Sequence, residues 1–274
     1  MPQPDTDPSA HPSANPSATS ALPAAALQAL REARHLVVLT GAGISAESGI
    51  PTFRDALTGL WARFDPEQLA TREGFLADPP LVWAWYVGRY SGVAGAQPNA
   101  GHRALAALGD RRGPPGRFTL VTQNVDDLHE RAGSRDVVRL HGSLAAARCL
   151  QCSRPHPMPS AAPPPAAGDQ RLAPPRCPAC GGLVRPGVVW FGENLPADAL
   201  ARAQAAADDA DAMLVVGTSG LVHPAAGLPA RARAAGALMI QVNPHPTELD
   251  SVCHHHLRGT AAQVLPGLVR ALGA

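Results

Sequence analysis

Lysine is missing from all 274 residues, so the 23 basic side chains are all arginine. The protein therefore offers no lysine side chain of its own for modification. Charge of both signs is sparse, 16% of residues, and 23 basic against 22 acidic groups leave a formal net charge of +1. That balance excludes a general electrostatic pull toward nucleic acid or a membrane surface. Long apolar runs are missing as well: no stretch approaches the roughly 20 residues of a membrane-spanning helix. The first 22 residues, MPQPDTDPSAHPSANPSATSAL, hold neither a basic n-region nor an apolar h-region. They do not form a secretory signal, and two Asp with no Arg argue against a transit peptide. Their Pro, Ser and Ala content is that of a disordered tail. We expect a soluble, cytoplasmic protein.

What is present can build a core. Hydrophobic residues make up 45% of the chain, and its length holds one full-sized domain or one domain carrying an insertion. Of five cysteines, four fall in two C-x-x-C pairs, which in a cytoplasmic chain favours metal over disulfides. Cys149, Cys152, Cys177 and Cys180 would place four thiolates for tetrahedral Zn²⁺ at about 2.3 Å each. Two exposed redox pairs are the competing reading, and the Pro/Ala-rich span 155–175 between them argues against it. Four thiolates leave no coordination position for a substrate, so this zinc would hold a module together. Cys253 precedes His254-His255-His256, which we read as a polar loop, with a second metal site as the alternative.

Strand and helix signals alternate. HLVVLT (35–40), RFTLVTQN (117–124), DVVRLHG (136–142), VRPGVVWFGE (184–193), ADAMLVVGTS (210–219) and ALMIQVNP (237–244) read as strands. Ala/Leu-rich or Ala/Arg-rich segments between them read as helices, and 66–90 reads as several short ones. This predicts a doubly wound, Rossmann-like α/β fold with a parallel sheet, whose ligands sit at the carboxyl ends of its strands.

Polar signatures stand at those ends. Gly41-Ala42-Gly43-Ile44-Ser45-Ala46 fits G-x-G-x-x-G/A, whose glycines let backbone N–H groups approach a pyrophosphate at a helix N-terminus. Taken alone it also describes an ordinary tight turn. A dehydrogenase would continue into a second strand ending in an acidic residue about 20 residues on. Here Pro51 ends any helix early, so a dinucleotide would be held differently. Gln123-Asn124-Val125-Asp126 and His141-Gly142 close two other strands. Amides and a carboxylate can hydrogen-bond ribose hydroxyls, and a histidine can take a proton from one. Singly, His141 could be structural and the QNVD segment a polar turn; their joint placement facing a glycine loop points to a site.

At this point the chain resembles the sirtuins. The match runs from about residue 27 to the end through GAGISAESGIPTFR (41–54), PNAGH (98–102), TQNVDDLHERAG (122–133), LHG (140–142), both C-x-x-C pairs, VVWFGE (188–193), GTS (217–219) and VNP (242–244). The resemblance implies a catalytic domain over 23–274, with a Rossmann-like core of about 23–55, 100–143 and 187–274. A smaller helical and zinc-binding domain would come from insertions at about 56–99 and 144–186. It implies NAD as co-substrate: nicotinamide leaves as the acyl oxygen of a modified lysine attacks the ribose. His141 then acts as general base on a ribose hydroxyl that attacks the resulting imidate, with Asn124 beside it. Free lysine and 2′-O-acyl-ADP-ribose are the products. Gly41, Ala42, Gly43, Glu47, Phe53 and Arg54 would cradle NAD. Gln123, Asn124 and Asp126 would hold its nicotinamide half, and Gly217, Thr218, Ser219, Asn243 and Ala261 its adenosine half. Partners would be acyl-lysine proteins or peptides, with no specific nucleic acid and no membrane, and we expect a monomer.

One sirtuin subgroup carries Tyr-x-x-Arg in the helical module and prefers acidic acyl-lysines. Tyr86 and Arg89 align with that pair. Arginine offers a bidentate, permanently charged fork for a succinyl or malonyl carboxylate, and Val188 and Phe191 would line the same channel. The resemblance thus implies a desuccinylase and demalonylase with some deacetylase activity. The other readings are a surface Tyr–Arg pair one helical turn apart on what is mainly a deacetylase, a mono-ADP-ribosyltransferase, and a non-catalytic NAD-sensing zinc adaptor. Gly187 stands where the family usually has His, and His223 where the subgroup commonly has Tyr.

Overall fold

Six parallel strands make the larger sheet of the computed structural model, which describes residues 22–51, 65–112, 116–159 and 171–273. They are β1 (His35–Thr40), β2 (Arg117–Thr122), β3 (Val138–Arg139), β7 (Ala212–Val216), β8 (Leu238–Asn243) and β9 (His255–Arg258), in the order β3-β2-β1-β7-β8-β9. β1 and β7 are buried at every position, as expected for central parallel strands covered on both faces. Alternation divides their side chains between two cores. Leu36, Val38, Leu214 and Val216 pack with α1 (Ala24–Glu32), α5 (Ala100–Arg111) and α9 (Ala261–Ala271). Val37, Leu39, Met213 and Val215 pack with α7 (Ala197–Asp208) and α8 (Leu228–Ala234). Strand order reverses between β1 and β7, so the switch point opens a crevice at their carboxyl ends, where the glycine loop and GTS meet.

A third core belongs to a smaller module. It joins α2 (Pro66–Leu69), α3 (Arg72–Ala77) and α4 (Pro79–Gly95) to an antiparallel sheet ordered β5-β4-β6, formed by β4 (Gly142–Cys149), β5 (Pro155–Pro157) and β6 (Val184–Val188). Where several short helices are expected over 66–90, the chain makes two short ones and then the 17-residue α4. Asp78 caps α4 by accepting from the Leu81 N–H at 3.1 Å, and Pro79 and Pro80 fill its first positions, where a missing N–H is harmless. α4 buries residues 81 to 87 in an unbroken run, so it has no amphipathic period for a sequence reading to find. Among the described residues no helix is long and apolar enough to cross a membrane.

Two local expectations are corrected. The glycine loop does not open an α-helix: it forms two 3₁₀ turns, Ala42–Ile44 and Ala46–Ser48, closed by Gly49 at φ 78°. A Cβ on Gly43 would lie 2.8 Å from the Gly217 Cα and carbonyl oxygen, so close approach of the two loops requires glycine there. The histidine run is not a polar loop but leads into β9, the sheet's edge. The Met239 N–H donates to His254 Nδ1 at 3.0 Å, His256 Nδ1 lies 3.2 Å from Gln241 Oε1, and Cys253 is buried beneath. Gly187 has a packing reason, since a Cβ there would come within 2.8 Å of the Ala146 carbonyl oxygen across the β4–β6 pair.

Candidate active site

The carboxyl ends of β1, β2, β7 and β8 are tied by hydrogen bonds between the segments singled out in the sequence. The Gly43 N–H donates to the Gly217 carbonyl at 2.8 Å, Gln123 Nε2 to Thr218 Oγ1 at 3.0 Å, and Asn243 Nδ2 to the Thr218 carbonyl at 3.0 Å. Gly41, Ala42, Gly43, Gln123, Gly217, Thr218, Ser219 and Asn243 therefore form one rim. Glu47 stands at one edge of this rim, exposed, and accepts from the Ala262 N–H at 3.2 Å. It thereby fastens the glycine loop to the start of α9, where Ala261 is buried. Phe53 and Arg54 lie outside the described residues.

Ser45 is the hub of the floor. Its hydroxyl donates to Asp126 Oδ2 at 2.9 Å and accepts from Asn124 Nδ2 at 3.1 Å. His102 Nδ1 accepts from the Asn99 N–H at 3.3 Å, which leaves Nε2 carrying the ring hydrogen, 3.4 Å from the same hydroxyl. Asn99 in turn donates to the Ile44 carbonyl at 2.7 Å and to Ser48 Oγ at 3.0 Å, pinning the loop. Behind this layer His129 Nε2 lies 2.9 Å from Thr40 Oγ1, its ring 5.0 Å from that of His102. Burial holds His102 down to about 4 and His129 to about 3, so both are neutral near pH 7. Burial also raises the Asp126 carboxyl, opposed by its bonds from the Leu128 N–H and Ser45.

His141 reaches the crevice from the turn between β3 and β4. Its Nδ1 lies 2.9 Å from the Gln123 carbonyl oxygen, an acceptor only, so Nδ1 carries the hydrogen and Nε2 keeps its lone pair. Burial depresses its pKa below the ordinary value, partly offset by that hydrogen bond. A neutral imidazole with a fixed tautomer is a general base in its working form.

On the module side, Tyr86 is buried and Arg89 is half-buried. The Arg89 guanidinium lies 4.8 Å from the Trp85 ring centre and has no hydrogen bond or ion pair among the described residues. Burial lowers its pKa, while Tyr86 and Asp126 favour its charge. Burial pushes the Tyr86 hydroxyl up to about 12. Val188 is buried at the end of β6, and Phe191 is 49% exposed beside it.

The four cysteines converge at the far end of the small sheet, their Sγ atoms all within 4.8 Å of one another. Cys149 and Cys180 are 3.4 Å apart and Cys152 and Cys177 3.7 Å. Four thiolates about 2.3 Å from one zinc would stand roughly 3.8 Å apart, so the donor set fits a single structural Zn²⁺. It is the metal-ligating group found among the described residues.

Residues 41–224 match the Sir2 family. The chain is 55% identical over 246 residues to an NAD-dependent protein deacylase of Methylococcus capsulatus, covering 90% of this chain and 95% of that protein. It is 56% identical over 248 residues to NAD-dependent protein deacylase 1 of Pseudomonas aeruginosa, covering 90% and 97%. The crystal structure of a Sir2 homologue–NAD complex superposes with a TM-score of 0.82 at 48% identity, covering 90% of this chain and 92% of that one. The chain belongs to the Sir2 family.

Some of the site of this Sir2 protein escapes sequence reasoning. Ser45, Asn99, His102 and His129 carry the hydrogen-bonded floor, yet none stands out as a site residue from its own neighbourhood. The available signal is the PNAGH segment: Asn99 and His102 form a reciprocal helix cap, and a buried cap beside a glycine loop is a loop-fastening device.

Proposed function

We propose that this Sir2 protein is an NAD-dependent lysine deacylase that removes acidic acyl groups, succinyl and malonyl, and acetyl less efficiently. The observation that carries the acyl preference is Arg89. A half-buried guanidinium with no direct ion-pair partner among the described residues is unfavourable, and a substrate carboxylate supplies that partner through two parallel hydrogen bonds. An acetyl methyl supplies nothing. Acyl-lysine peptides are thus the partners this pocket suits.

The remaining residues divide the work on the co-substrate. The glycine loop, with no side chains on Gly41 and Gly43, lets a dinucleotide approach the backbone closely, and the Thr218–Asn243 rim offers it neutral polar side chains. Ser45 holds Asn124 and Asp126 at fixed orientation, so polar groups face the ribose without reorganising. His141 Nε2 is the group free to accept a ribose hydroxyl proton, which the Gln123 carbonyl makes possible by retaining the Nδ1 hydrogen.

The test compares kcat/KM for acetyl, succinyl and malonyl versions of one peptide, with and without Arg89→Met. We expect the succinyl-over-acetyl ratio to fall 10- to 100-fold in the variant, the scale of a lost charge-assisted hydrogen bond. A succinyl preference that survives the substitution contradicts the role given to Arg89. Peptide acetyl turnover above succinyl in the unaltered protein would make it a deacetylase.

A further inference from the structure

The Tyr86 hydroxyl is engaged from one side only. The Trp190 indole N–H donates to its oxygen at 3.0 Å, and the hydroxyl's own proton has no acceptor among the described residues. Trp190 is 2% exposed and held on several sides. The Arg185 guanidinium stacks 3.4 Å from its ring centre, and Phe75 lies 5.3 Å away, tilted. Its backbone N–H donates to Glu193 Oε2 at 2.9 Å, and Glu193 is ion-paired with Arg185. Arg185 is anchored by bonds to the Pro186 carbonyl at 3.2 Å and the Val188 carbonyl at 2.8 Å. The indole therefore has one position, and its N–H one target. None of these groups belongs to the dinucleotide rim or to the four zinc-ligating cysteines.

We propose that Trp190 is a positioning residue for acyl selectivity, fixing the Tyr86 hydroxyl as a donor toward the acyl group. This rests on the acidic-acyl reading above. A phenol oxygen can either donate or accept toward a ligand. With its lone pair taken by the indole N–H, the Tyr86 hydroxyl turns its hydrogen away from Trp190. A carboxylate accepts hydrogen bonds and donates none, so a donor-only tyrosine beside a cationic arginine complements it fully, whereas a freely rotating hydroxyl would first have to be oriented. Preorganisation of this kind lowers the free energy lost on binding and adds nothing for an acetyl methyl. Arg185 and Glu193 act one step further back, by holding the indole.

Trp190→Phe keeps an aromatic ring and removes the N–H. We would measure kcat and KM for succinyl and acetyl peptides at saturating NAD in the zinc-loaded protein. The variants are Trp190→Phe, Tyr86→Phe, the double variant and Arg89→Met. The expected result is a succinyl KM that rises about tenfold more than the acetyl KM in Trp190→Phe, without a matching fall in succinyl kcat. The double variant should be no worse than Tyr86→Phe alone, because Trp190 acts through Tyr86. Equal losses on both peptides, or effects that multiply in the double variant, would overturn the proposal. If Trp190→Phe does not fold, benzothienylalanine at position 190, an indole-shaped ring without the N–H, replaces it under the same criteria. If Arg89→Met collapses the succinyl preference and the Trp190 variants do not alter it, only the role of Trp190 fails. A preference unmoved by Arg89→Met overturns both readings.

Discussion

His141 Nδ1 sits 2.9 Å from the Gln123 carbonyl oxygen, and this one contact decides which ring nitrogen is free to accept a proton. Nε2 is a lone-pair acceptor at neutral pH because burial holds the imidazole below its ordinary pKa. His141→Ala should lower kcat by 10²–10⁴, the usual worth of general base catalysis. Because the working form is the neutral ring, activity is present above the His141 pKa and lost as pH falls through it. The acidic limb of kcat/KM should therefore lie below about 6.5. A limb centred above that value would contradict the burial argument.

The buried pair His102 and His129 makes the fold acid-sensitive. Both stay neutral in the fold, to about 4 and about 3, while an unfolded histidine titrates near 6.5. Below about pH 6.5 the unfolded chain binds protons that the fold does not, so stability falls with pH, by about 1.4 kcal/mol per unit for each ring. Urea unfolding of the unaltered protein and His129→Asn between pH 6.5 and 5 should show the slope reduced by about that amount in the variant. Parallel slopes would mean His129 is not held neutral.

Zinc is scaffold in this account. Chelation should remove one metal per chain, lower the melting temperature and abolish activity by loosening the small module that carries Arg89 and Trp190. Reloading with Co²⁺ should restore turnover close to the zinc rate, since a site of four thiolates leaves no position for substrate. A rate that follows the identity of the metal would assign it a chemical role.

Gly187 is predicted to be intolerant of a histidine side chain. Gly187→His must displace the Ala146 backbone, and overpacking of this kind costs about 1–3 kcal/mol. Chemical denaturation reads the loss; an unchanged midpoint would show that β4 and β6 can separate without penalty.

How far these features were legible depended on how local their cause is. HLVVLT and the glycine loop could be read because a buried parallel strand is a continuous apolar run, and close approach of the β1 and β7 loops demands glycine. The cysteines could be read because thiolate spacing is set by the metal. β9 could not: His255 and His256 are polar, and their strand is fixed by pairing with Ile240 and Gln241 rather than by a pattern of their own. Ser45 is one small residue whose importance comes from three side chains 57 to 81 positions away. The Trp190–Tyr86 bond spans 104 positions, and no local rule announces it.

The most direct test of the account is product analysis of a succinyl-lysine peptide incubated with NAD. The account predicts equal amounts of nicotinamide, free-lysine peptide and 2′-O-succinyl-ADP-ribose, all lost together in His141→Ala and strongly reduced in Arg89→Met. Release of nicotinamide without transfer of the succinyl group would contradict it.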